Sequence, residues 1–255
     1  MTSPALAVTT LGRFAVVRAG VPVEAQAWTR EKAVALFHFF LAERRRAWHK
    51  EQLIEQLWPQ QDAATGARDF KVALNALAKT LEPERPPRTA SRYIERSGAT
   101  YRLRTEALWI DADAFEAAVR AGHQALGPDP AQARVHYAEA EALYQGPFLP
   151  GRPFEDWAGA ERERLQTMAL TALTTLADLW LPERPREALR VASEVVRLEP
   201  TWEAAYRTQM RAQVALGNRP LALRAYERCA DALARVYDTD PLPQTQALYV
   251  EIQRP

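Results

Sequence analysis

Ala188, Leu189 and Arg190 recur 34 residues later as Ala222, Leu223 and Arg224. A unit of that length is two antiparallel helices that cannot bury their apolar faces alone, so neighbouring units must stack. From about residue 106 onward the chain suits such a stack. Its helical segments are cut by the turn-forming stretches LGPDP, QGPFLPGRP, LPERP, LEPT and TDPLP. Roughly three helix pairs are expected, the first irregular and opened by Asp113 and Glu116 spaced as a capping box.

The first part of the chain is patterned differently. Residues 7–23 alternate β-favouring side chains around Gly12 and Gly20 and predict two or three short strands. Thr29 is a suitable N-cap for a helix whose apolar face is Ala33, Leu36, Phe37, Phe40 and Leu41. A shorter helix is expected from Lys50 to Trp58, burying Leu53, Ile54, Leu57 and Trp58, with Pro59 ending it. A third follows Asp62 or Thr65 and runs to Leu81, with Phe70, Leu74, Leu77 and Leu81 inward. Residues 92–104 then read as a β-hairpin turning at Ser97 and Gly98. The expected architecture is an α+β domain over residues 1–105 followed by an all-α helical-repeat domain over 106–255.

Charge divides along the same line. Residues 1–105 carry 17 Lys and Arg against 10 Asp and Glu, a net of +7, whereas the remainder carries 16 against 22, a net of −6. A basic half joined to an acidic half implies that one part meets a polyanion and the other does not. The longest nearly apolar run, Ala33 to Ala42, is about half the ~20 residues a membrane span requires, so no membrane partner is expected. The N-terminus lacks the basic start of a secretory signal and a single cysteine, Cys229, cannot form an internal disulfide. The expected location is cytoplasmic.

On the third helix Arg68, Lys71, Asn75 and Lys79 are three, four and four residues apart, which puts them in one sector, with Val72 beside them. Cations and an amide on a solvent-facing row suit a helix laid in the major groove of double-stranded DNA. Lys and Arg hold phosphates or guanine there, Asn pairs with adenine, and Val72 can meet a thymine methyl. The same row also describes an ordinary solvated helix face. The hairpin adds specificity, because Arg92, Arg96, Arg102 and Arg104 stand at even spacings. Several are expected to project from one face while Ile94 turns inward.

These segments resemble a known family. Strand, helix, helix, exposed basic helix and the hairpin YIERSGATYRL are similar to the OmpR-type winged helix. The stretches LGRFAV, KEQLIEQLWP and FKVALNALAKTLEP resemble the antibiotic regulatory protein (SARP) family. DADAFE, GPFLP, WAGAERERL and the repeat resemble that family's bacterial transcriptional activator domain, a tetratricopeptide-like module. The resemblance implies a winged-helix N-terminal domain and a tetratricopeptide-like C-terminal one. It makes the third helix the recognition helix, Arg96 a minor-groove or phosphate contact, and the loop Pro59 to Ala64 a surface for RNA polymerase. Many such regulators occupy direct repeats, which implies self-association on DNA. The sequence opens directly on the winged helix, so no receiver domain is expected. None of the ten glycines begins a GxxxxGK loop followed by Ser or Thr, so nucleotide-driven control is not expected either.

Other constellations carry less. His38, His49, His123 and His136 are scattered and give no zinc spacing with Cys229, so no metal or other cofactor is expected. His38 reads as a core-edge residue, and Cys229, Trp157, Trp180 and Trp202 as packing residues. Glu161 to Arg164 alternate in charge, as a solvated or helix-contacting face does. No acid, base and nucleophile set suggests an enzyme. The reading is therefore a sequence-specific DNA-binding transcription regulator, an activator that contacts polymerase. The alternative is a tetratricopeptide-type interaction scaffold whose winged helix binds protein.

Overall fold

A computed structural model describes residues 5–151 and 156–254. The chain order is β1 (Leu6–Thr9), β2 (Ala15–Arg18), β3 (Val21–Pro22), α1 (Glu31–Ala42), β4 (Trp48–His49), α2 (Lys50–Leu57) and α3 (Ala63–Leu81). It continues with β5 (Ile94–Ser97), β6 (Thr100–Leu103), β7 (Trp109–Ile110), α4 (Asp111–Ala125), α5 (Pro130–Leu143) and α6 (Asp156–Trp180). Last come α7 (Pro185–Leu198), α8 (Glu203–Ala215), α9 (Arg219–Tyr237) and α10 (Pro243–Gln253). Two compact units result, Met1–Ala114 with Gln145–Leu165, and Phe115–Tyr144 with Gln166–Pro255.

In the first unit, where two or three strands are expected, three pair as an antiparallel meander. Ala19 and Gly20 both have positive φ, the type I′ geometry that matches strand twist in a two-residue hairpin. A fourth strand, β7, lies parallel to β1 and completes the order β3-β2-β1-β7. At two residues it has no alternation to reveal it.

Asp111 follows β7 directly and is buried. Its carboxylate accepts from Thr10 N (2.8 Å to each oxygen), Thr10 Oγ1 (2.7 Å), Leu11 N (2.9 Å) and Ala112 N (2.8 Å). Four donors on a buried carboxylate meet the condition under which such a charge is tolerated away from water. Helix α4 thus begins two residues before the expected capping box, and Asp113 has another role. Segment 145–149 crosses the end of β1: Gly12 N donates to Pro147 O (3.0 Å), Leu149 N to Thr10 O (2.8 Å), and Leu11 bridges Phe148. A Cβ on Gly12 would sit 2.6 Å from Gln145 O, so this crossing requires glycine.

Helix α1 begins at Glu31, with Arg30 rather than Thr29 at the N-cap and no side-chain cap bond. It is buried on more than the one face that its spacing predicts. Phe39 is sealed as fully as Phe37 and stands edge-on to Trp48 at 4.9 Å, with Trp157 at 5.5 Å. A helix apolar on all sides is a core helix. His38 is buried edge-on to Phe14, 4.2 Å between ring centres. Just beyond α1, the Arg44 guanidinium is sealed between Asp113 and Glu161, both at 2.6 Å, and donates to Leu41 O.

The second unit carries the repeat. Ala188, Val191 and Val195 on α7 are buried, and so are Ala222, Ala225 and Cys229, each 34 residues further on along α9. Helix α8 packs between them. Prolines open α5, α7, α9 and α10 at the first or second position, where the missing N–H costs nothing. The expected turn stretches fall between helices; residues 152 and 153 of one lie outside the described residues. Trp202 donates its indole N–H to Thr174 Oγ1 (3.0 Å), and Trp180 lies beneath the guanidiniums of Arg134 and Arg184. No helix among the described residues is long and apolar enough to cross a membrane.

Three measurements check this packing. Arg44→Ala removes the buried guanidinium that Asp113 and Glu161 share, leaving Glu161 still paired with Arg164 and Asp113 partly in water, and is expected to cost about 1–3 kcal/mol in urea unfolding. Burial pushes the Glu161 carboxyl up, but hydrogen bonds and charge from Arg164 and Arg44 outweigh it and hold it below the ordinary range. Its contribution is therefore complete above that range and is lost as pH falls through the lowered value, a loss that Glu161→Gln should blunt. Burial, helped by the Glu203 charge, pushes the Cys229 thiol up to about 12. Labelling at pH 8 should then proceed only at the rate of unfolding, and fast labelling in native buffer would contradict this packing.

Candidate nucleic-acid interface

Asp62 caps α3, accepting from Ala64 N and Thr65 N, each at 3.0 Å. Hydrogen bonds from the Thr65 side chain and backbone hold its carboxyl below the usual range. Helix α3 meets α2 where Gly66 faces Ile54; a Cβ there would lie 2.5 Å from Ile54 Cγ2. Phe70, Ala73, Leu77 and Leu81 form its buried face. Leu74, expected inward, is half-buried at the edge, and Ala73 occupies the core position instead. The far end is pinned by Arg18 of β2, which donates to Thr80 O (2.8 Å).

Arg68, Lys71, Val72, Asn75 and Lys79 are all exposed on α3. Arg68 meets Asp69 at 3.4 Å, a surface pair of little energetic weight. Val72 is an aliphatic side chain left in water on a cationic row.

The hairpin turns at Gly98 and Ala99, one residue later than predicted. Gly98 has φ +61 and Ala99 no positive φ, which fits a type II′ turn with glycine first. Strand β4 pairs with β6, Trp48 opposite Tyr101, and Lys50 N donates to Ala99 O (2.8 Å), so the wing is a three-stranded sheet tied to the start of α2. Phe70 stands edge-on to Tyr101 at 5.1 Å and fixes the wing against α3.

The register separates the hairpin arginines. Arg96 lies opposite Tyr101, and Arg102 opposite Glu95. Paired residue numbers sum to an odd value across a two-residue turn, so even positions on one arm share a face with odd positions on the other. Arg96 is therefore on the same face as Ile94, not opposite it, and Arg102 is on the other face. There Arg102 is held by Glu95 and, at 3.5 Å, by Glu106. Arg92 lies beside its neighbour Tyr93, and its backbone N–H donates to Glu82.

Lys71, Asn75 and Arg96 line one groove of about 700 Å³ between α3 and the wing, together with Lys50, Leu74 and Tyr101. Arg68, Val72 and Lys79 share the exposed sector of α3 without lining that groove. Lys50 was not singled out by the sequence, because its place depends on the bond between the start of α2 and the hairpin turn. Arg96 is oriented by donating Nε to Gly98 O (3.0 Å). The groove holds three cations and an amide, a set able to bind phosphate oxygens and to pair with a base edge. Among the described residues no cluster of three or more His, Cys, Asp or Glu is placed to hold a metal ion.

Residues 110–253, more than half of the chain, match the protein family described as the bacterial transcriptional activator domain. Among solved structures, Mycobacterium tuberculosis EmbR in complex with a low-affinity phosphopeptide is similar, with TM-score 0.81 and 22% identity. The match covers 98% of this chain and 66% of that one, so the chain spans just under two thirds of its length. The likeness shows a shared winged-helix and helical-repeat fold. No curated protein matches in sequence.

The turn at the wing's tip can be tested without any ligand. A Cβ on Gly98 meets nothing within 4 Å, so Gly98→Val is opposed by its positive φ alone. It is expected to cost on the order of 1 kcal/mol. Amide exchange at Tyr101 and Leu103 should accelerate, while exchange in α7 and α8 stays unchanged.

Proposed function

The chain belongs to the bacterial transcriptional activator domain family and is a transcription regulator of the antibiotic regulatory protein type; from that premise we propose that it reads duplex DNA with α3 and the wing. The observation that carries this reading is the convergence of Lys50, Lys71, Asn75 and Arg96 on one groove. Lys71, Arg68 and Lys79 hold phosphates, Asn75 pairs with a base edge, Val72 contacts a thymine methyl, and Arg96 reaches the adjacent groove or strand. Arg92 and Arg102 flank the wing and contribute less, Arg102 because Glu95 and Glu106 neutralise it.

Residues 1–105 act as the DNA-binding module and 106–255 as the regulatory one. Pro59 to Ala64 is exposed throughout and serves as the polymerase-facing loop. Two copies bind a direct repeat in the cytoplasm and activate transcription without catalysing a reaction. The scaffold alternative is disfavoured by the positive charge of α3 and the wing, carried in this groove by Lys50, Lys71 and Arg96.

Selection of bound duplexes from a random pool tests the reading, with an enriched direct repeat as the expected result. On the selected site Asn75→Ala should weaken binding by about 1–3 kcal/mol and barely affect random duplex. Lys71→Ala should weaken both and reduce the slope of log affinity against log salt by about 0.9. Arg96→Ala should weaken binding more than Arg102→Ala. Equal losses on selected and random duplex for Asn75→Ala would refute base reading.

A further inference from the structure

A second cleft, of about 570 Å³, lies between the C-terminal half of α3, the loop 82–91 and the wing. Arg85, Arg88, Arg96 and Arg104 all line it, with Asn75 and Ser91, and no carboxylate does. Four arginines elsewhere are treated differently. Arg44, Arg134, Arg190 and Arg197 each meet a glutamate of their own unit. Around the cleft the acids are turned to other uses: Glu82 accepts from Ser91 Oγ and Arg92 N, and Glu84 lines a separate hollow with Arg18 and Arg92, on which Arg85 also borders.

One detail points to a ligand. The Nε of Arg104 is sealed from solvent and has no hydrogen-bond partner, although a guanidinium donor away from water ordinarily finds one. Arg88 sits at φ +65 as the third residue of the turn Pro86–Thr89, the left-handed position that a type II turn with Pro87 second requires, and the turn holds it at the mouth of the cleft. The prolines at 83, 86 and 87 keep the loop from continuing α3, and Thr89 closes it by donating N and Oγ1 to Pro86 O (3.3 and 2.6 Å).

Like charges gathered in a small concave space repel one another, and although Arg85 donates to Thr89 O and Arg96 to Gly98 O, each guanidinium carries five N–H donors in all, more than those bonds use. A carboxylate answers one such fork. A phosphate, with more oxygens and more charge, answers several at once, in the bidentate manner that guanidinium favours. We propose that this cleft is a phosphate-binding site, with Arg104 as its inner anchor and Arg85 and Arg88 as outer arms. The phosphate is supplied either by a duplex backbone or by a free phosphorylated small molecule. Because Asn75 and Arg96 line both clefts, a backbone phosphate here extends the proposed DNA interface, whereas a free one competes with it.

The test compares the full chain with Arg85→Gln/Arg88→Gln and with Arg104→Gln, using two readouts. The first is the shift in Tm given by pyrophosphate over sodium chloride at equal ionic strength. The second is the salt slope on a random duplex. A Tm rise of several degrees in the wild type that both variants lose assigns the site to a free phosphate. A slope that falls by about 0.9 per phosphate contact in the variants, with no response to pyrophosphate, assigns it to the backbone. Neither effect, in variants that keep the wild-type circular dichroism, overturns the proposal. Arg88→Gln alone, altering an exposed side chain, supplies the same comparison if the double variant fails to fold. The pyrophosphate readout needs no DNA, so failure of the duplex reading leaves it intact. Conversely, duplex binding with an unchanged slope and no pyrophosphate response removes this site without touching that reading.

Discussion

The carboxylate of Asp111 holds the first unit together. Without it, the N–H groups of Thr10 and Leu11 would lie at the end of β1 with no acceptor, beneath the crossing of segment 145–149. Such orphaned donors are costly in a buried place. With them satisfied, β1 is fixed, β2 follows by its ladder, and Arg18 of β2 reaches the last turn of α3 at Thr80. The orientation of the proposed reading helix is thus tied through one sheet to an acid 30 residues beyond its end in sequence. Arg44 does comparable work at the end of α1, where two carboxylates offset the cost of burying its guanidinium.

Much of this was legible in the residues, for local reasons. Helix α2 falls almost where its apolar spacing places it, because Pro59 leaves no choice of end. Helix α3 is capped by Asp62, one of the two residues suited to it. The 34-residue offset extends beyond the three repeated letters to the buried positions Val191, Val195, Ala225 and Cys229, since each repeat must present its packing face to the same neighbour. What stayed hidden depends on partners far along the chain. Strands β4 and β7 are two residues each, too short for any period, and exist only by pairing with β6 and β1. Phe39 reads as lying off the helical stripe until Trp48 and Trp157 close over it.

The candidate site was legible in composition and not in arrangement. The row on α3 follows from helical geometry alone, and all five of its residues are exposed. The wing did not yield in the same way, because an even spacing on both arms says nothing until the length of the turn is known. Lys50, Arg85, Arg88 and Arg104 come into play through the hairpin's bond to α2 and the bend of the loop 82–91, neither of which has a period. Acidity in the second unit has a structural use as well. Glu141 and Glu187 engage Arg190, Glu183 engages Arg134, and Glu194 engages Arg197. Hydrogen bonding to Glu141 raises the pKa of Arg190 against the lowering effect of its partial burial.

The two-residue turn at Gly98 and Ala99 makes chain length itself a determinant of sign. Inserting or deleting one neutral residue there leaves the net charge intact and, unless a bulge absorbs the change, exchanges the wing's faces. Arg96 would give way to its neighbour Glu95, and a cation beside α3 would become an anion. A lineage diverging from this sequence can alter the length of its wing tip only together with a bulge or longer loop that restores the register, and can replace Gly98 only against its positive φ.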